Sequence, residues 1–98
     1  LMRYKDLGPA LSSLKENAYY EIRTHFHVPV FTKTYGKLHS TQEDIIETLR
    51  LWLKTPFTKH LEVETYTWDV LPENMKTDGV TSIIRELNWV KQTLDNYA

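Results

Sequence analysis

Two short segments hold the residues best suited to chemistry. His25-Phe26-His27 sets two imidazoles two positions apart, and Glu62-Val63-Glu64 sets two carboxylates at the same spacing. In an extended strand, residues i and i+2 share a face and lie ~6.6 Å apart along the chain. Both histidines therefore share a face with Arg23, and both glutamates share one with Tyr66 and Trp68. The opposite faces are largely apolar: Ile22, Thr24, Phe26 and Val28 in the first segment, Leu61, Val63 and Thr65 in the second. Imidazole and carboxylate donors together suit zinc, manganese or iron rather than calcium. Such an ion polarises a carbonyl or phosphoryl oxygen, or lowers the pKa of bound water. His25, His27 and Glu64 are accordingly the candidate metal ligands. At strand spacing the two histidines suit an ion and its neighbour better than one shared ion. The competing reading is a pair of ordinary surface histidines and a structural carboxylate, because His-x-His in a strand is not distinctive by itself.

Paired in register, the two segments would set Arg23 near Glu62 and the histidines near Glu64. Arg23 and Glu62 are expected as a buried ion pair one layer beneath the site. Tyr66, Trp68 and Asp69 stand where the second segment opens into a loop. They are candidate substrate-binding residues, or else an aromatic plug. His60 precedes Glu64 by ~13 Å of extended chain and falls outside the site. His39 belongs to the exposed approach to the following helix, and Trp52 and Trp89 to helix packing.

The elements that must position these residues are legible from periodicity. Strands are expected at about 19–28 and 60–67, and helices at about 9–16, 41–54 and 79–96. Ser40 with Glu43 three residues later reads as a capping box for the second helix. Its apolar stripe is Ile45, Leu49, Trp52 and Leu53; that of the last helix is Val80, Ile83, Ile84, Leu87, Val90 and Leu94. Alternation of strand and helix implies a parallel sheet with crossover helices. Strands with one charged face fit a (β/α) barrel with a polar lumen better than a doubly wound sheet, whose strands are apolar on both faces. In such barrels the long strand-to-helix loops, as found here, mark the functional end. Two strands close no core alone, so residues 1–98 are expected to be a portion of one barrel domain within a longer polypeptide. Its partner would be the remainder of its own barrel, or a second copy by self-association.

Composition narrows the classes further. With 98 residues, net charge -1 and 41% hydrophobic residues, the chain reads as one small globular unit. It has no basic block to suggest nucleic acid as a partner. Nor does it have an apolar run of the ~20 residues that membrane insertion requires. The absence of cysteine excludes disulfides and thiolate metal sites and is compatible with a cytoplasmic location.

Thr24-His25-Phe26-His27-Val28-Pro29, Ser40-Thr41-Gln42 and the run from His60 to Pro72 together resemble the C-terminal part of the bacterial metabolite-traffic proteins of Ebo type. Those belong to the xylose-isomerase-like TIM-barrel superfamily. The resemblance implies an α/β fold, the C-terminal portion of a (β/α)8 TIM barrel comprising two βα units and a leading helix. The two strands would be the seventh and eighth, with about two thirds of the parent chain lying before them. It also implies that Glu64-Thr65 matches a metal-binding Glu of the last strand. His27 matches a ligand histidine, and His25 stands where an Asp is usual. The cofactor would be a divalent transition metal, zinc or manganese. The expected function is metal-dependent isomerase, epimerase or hydrolase action on a small metabolite. A non-catalytic metabolite carrier of the same fold is the alternative, and a nuclease reading comes third.

Overall fold

The computed structural model describes residues 1–25, 27–64, 73 and 78–98. At the coarsest level these residues form a mixed α and β structure of three helices and one two-stranded sheet. Helix α1 spans Leu7–Glu16 and starts where the Asp6 carboxylate accepts the Leu7 N–H at 2.7 Å. Pro9 falls in its first turn, where the missing N–H had no helical partner to lose. Both flanks of α1 are tied to it: the Ser13 hydroxyl lies 2.6 Å from the hydroxyls of Tyr4 and Tyr19.

Residues 19–25, 27–28 and 60–64, expected as strands, carry no strand pairing. An isolated pair of parallel strands is marginal in water, because few ladder bonds offset the ordering of two chains. The sheet that forms is elsewhere. Strands β1, Thr34–Tyr35, and β2, Leu38–His39, make an antiparallel hairpin pairing Thr34 with His39 and Tyr35 with Leu38. Gly36 adopts φ +58 at the first central position of the two-residue turn, the position a type II′ hairpin reserves for glycine.

Helix α2 spans Gln42–Lys54 and α3 spans Gly79–Tyr97. The expected capping box is replaced by different bonds. Thr41 occupies the N-cap position of α2 without a side-chain cap bond. The Ser40 hydroxyl instead donates to the Thr32 carbonyl at 2.6 Å and accepts the Gln42 N–H at 3.3 Å. Glu43 pairs with Lys33 at 2.6 Å rather than folding back on the helix end. Helix α3 is capped in the expected manner for an aspartate, Asp78 accepting the Thr81 N–H at 2.9 Å.

Helices α2 and α3 pack together, and their seam departs from the apolar stripes. Leu49, 6% exposed, is the one buried hydrophobic side chain among the described residues; Ser82, Glu86 and Thr93 are the buried positions of α3. Val80, Ile83, Ile84 and Leu87, expected to face a core, are exposed, as are Leu7, Leu11 and Leu14 of α1. The surface area makes the same point. A compact folded protein of 11.6 kDa exposes about 5,800 Å², whereas this chain exposes 8443 Å².

One main-chain residue links the two helices. The Val30 N–H donates to Glu86 Oε1 at 3.1 Å, and its carbonyl accepts from Gln42 Nε2 at 2.8 Å. The Thr32 N–H closes a turn onto the Pro29 carbonyl at 2.9 Å. Arg85 lies over the Phe31 ring, 4.3 Å from its centroid. Residues 29–32 are thereby fixed against the helix pair, and the histidines enter just ahead of them.

Candidate functional site

His25 and His27 are brought into direct contact. Their Nε2 atoms lie 3.1 Å apart, and the rings meet edge to face with centroids separated by 4.7 Å. A hydrogen bond of that length between neutral rings requires opposite tautomers, one Nε2 carrying the proton and the other presenting its lone pair. The same separation suits a metal ion. With metal–nitrogen bonds of ~2.0–2.1 Å, adjacent ligands of tetrahedral or octahedral geometry lie about 2.9–3.4 Å apart. The two imidazoles therefore fit two positions on one ion. Strand spacing raised the expectation of separate ions; the approach of the two rings is also short enough for one. The contact is made by rotation of the two side chains toward each other.

The rest of the expected ligand set does not assemble around them. Among the described residues no three His, Cys, Asp or Glu side chains converge to hold a metal, so Glu64 does not join the pair. It sits in the unpaired segment 60–64 and is exposed. The expected buried Arg23–Glu62 ion pair is also not formed. Arg23 bonds Glu21 two residues away, and the Arg23 side chain is 82% exposed. The Glu21 carboxylate, which hydrogen-bonds and attracts the guanidinium, holds the Arg23 pKa above its ordinary value, with a smaller contribution from Asp44. Glu62 is exposed. The candidate substrate residues Tyr66, Trp68 and Asp69 lie outside the described residues.

His27 opens onto a cleft of about 580 Å³ between residues 21–24 and 27–30, the hairpin and the start of α2. That volume is in the range of small-molecule pockets. Ile22, Val28, Leu38 and Ile45 give the lining its apolar part, while Arg23, Lys37 and His39 bring basic groups. The hairpin wall was not among the expected site elements, and His39 was assigned to the approach to α2. The signal for it was Tyr35-Gly36-Lys37-Leu38, a glycine between two residues that favour strands.

Among the described residues no helix is long and apolar enough to cross a membrane. No protein-family model, curated protein or solved structure matches the chain.

Proposed function

We propose that the chain is the C-terminal part of a xylose-isomerase-like TIM barrel of metabolite-traffic type. In this reading it is a cytoplasmic protein whose barrel mouth binds a divalent transition metal and a small metabolite, acting as an isomerase, epimerase or hydrolase. The observation that carries the reading is the 3.1 Å approach of the His25 and His27 Nε2 atoms at the edge of the cleft. His25 and His27 would hold the ion, with Glu64 completing the set once the strand bearing it is paired in the barrel. The bound ion would supply Lewis-acid polarisation of a substrate oxygen or an activated water. The chain's own contribution is to orient the donors through the fixed 29–32 turn and to wall the substrate with the hairpin. The uncovered apolar side of α3 supports the barrel assignment, because a barrel helix packs that side on the sheet.

A non-catalytic carrier of the same fold is the second reading, favoured by the separation of Glu64 from the histidine pair. Metal analysis of the protein carrying the rest of the barrel tests both, in wild type and in Glu64→Gln and His27→Ala variants. Near-stoichiometric zinc or manganese, lost in both folded variants, is the expected result and justifies a substrate screen. Folded wild-type protein prepared without chelator and free of metal would overturn the metal-dependent reading and leave the carrier.

A further inference from the structure

The cleft has a charge bias that the chain as a whole lacks. The 98 residues hold 12 Lys and Arg against 13 Asp and Glu. The lining holds Arg23 and Lys37 against Glu21 alone, together with two of the four histidines, His27 and His39. Glu21 and Arg23 offset each other as an exposed pair, so the bias rests on Lys37. Lys37, on the hairpin turn, has no ion-pair partner among the described residues. Apolar side chains, Ile22, Val28, Leu38 and Ile45 among them, share the same lining. A pocket with an apolar lining and a few polar groups takes its specificity from those groups. A cationic lining in a chain of slightly negative net charge selects for anions and raises their encounter rate.

We propose that this cleft binds small molecules that join an apolar body to an oxyanion, either a carboxylate or a phosphate. Lys37 is the principal anion contact, Arg23 is the secondary one, and the apolar body sits on Ile22, Val28, Leu38 and Ile45. The assignment names the ligand class for the cleft and rests on its reading above as a metabolite site. It does not require the metal.

Amide-resolved NMR titration of the 98-residue chain, with EDTA present to remove metal, tests it. The probes are phenyl phosphate, benzoate and the neutral benzyl alcohol. The expected result is saturable shifts at Ile22, Arg23, Lys37 and Leu38 with at least one of the two anions, much weaker shifts with the alcohol, and loss of affinity with added salt. The tighter of the two anions identifies the oxyanion. Lys37→Met, which keeps most of the stem on an exposed turn, should weaken binding about three- to five-fold. Lys37→Glu should remove it. Equal binding of the alcohol, or unchanged anion affinity in both variants, overturns the proposal. A parallel zinc titration without EDTA, read at His25 and His27, separates the two ideas. Zinc binding without anion binding overturns the ligand class and leaves the metal reading, whereas anion binding without zinc binding does the reverse.

Discussion

The main-chain N–H of Val30 donates to the carboxylate of Glu86 at 3.1 Å across 56 positions of sequence. Glu86 is 4% exposed, so this bond is made out of water. Gln42 donates to the carbonyl of the same residue, so both polar groups of one peptide segment are satisfied by side chains from two helices. Buried backbone groups without partners are costly, and here the partners also decide which side of α3 faces inward. A helix turned to put Glu86 against Val30 cannot also bury Ile84.

Removing the Glu86 acceptor therefore destabilises the fold. Glu86→Ala removes the partner of the half-buried Val30 N–H, a loss of about 1 kcal/mol. Glu86→Gln keeps an oxygen in reach and should retain most of the stability. Urea unfolding followed by tryptophan fluorescence distinguishes them. Equal midpoints for the two variants would show that the bond does not hold the turn to α3.

Among the described residues, hydrophobic burial is concentrated at Leu49. Leu49→Ala should cost about 2–3 kcal/mol, the low end for a buried leucine because Ile45, Trp52 and Leu53 of the same α2 stripe are only half-buried and can relax. Leu51, two residues on and exposed, should tolerate alanine within about 0.5 kcal/mol. With so little buried apolar area, the Leu49 variant should lose its cooperative urea transition at room temperature. A normal transition in Leu49→Ala would place the core elsewhere.

The helices were legible in the sequence because each carries its own signal. The i, i+4 recurrence of Ile45, Leu49 and Leu53 needs no distant partner to be read, and neither does the run from Val80 to Leu94. The strands were not legible in the same way. Alternation in His60 to Glu64 states which faces a strand would have, but pairing depends on a neighbour that periodicity does not name. The same limit explains the site. His25 and His27 were recognisable as donors, yet their contact depends on side-chain rotation, and the nearness of Lys37 depends on a hairpin set by one glycine. The polar seam of Ser82, Glu86 and Thr93 also ran against the apolar stripe. It followed from a backbone hydrogen bond rather than from hydrophobicity.

The start of α3 should be sensitive to acid. The Thr81 hydroxyl and N–H both donate to the Asp78 carboxylate and hold its pKa below the ordinary value. A carboxyl with a depressed folded pKa stabilises the fold above its unfolded pKa, near 4, and loses that effect as pH falls through the folded value. Helical circular dichroism should therefore decline below about pH 4, and Asp78→Ala should have less signal at pH 7 and a flatter acid limb. An acid limb in the variant as steep as in the wild type would assign the transition to another group.

Gly36→Ala tests the hairpin as a wall of the cleft. A side chain at φ +58 meets its own backbone even though no other atom lies within 4 Å of the added Cβ. The cost is about 1–2 kcal/mol, enough to open a two-residue ladder. The expected outcome is loss of the Thr34–His39 pairing in amide NMR, accompanied by weaker binding of the anionic probe while the α2 resonances stay in place. Intact pairing with weaker binding would instead point to a direct steric effect at the cleft.

The histidine contact makes a prediction about stoichiometry. If His25 and His27 hold one ion between them, zinc should bind the chain at one equivalent, and His25→Ala and His27→Ala should each weaken it by roughly ten-fold or more. The double variant should then be little worse than either single one, because loss of one imidazole already dissolves the chelate. Independent sites would give additive losses instead, and a two-ion arrangement would give two equivalents at saturation. Calorimetric titration of the three variants separates these outcomes. Additive losses would return the histidines to the separate ions expected from strand spacing, and the 3.1 Å contact would then be a hydrogen bond alone.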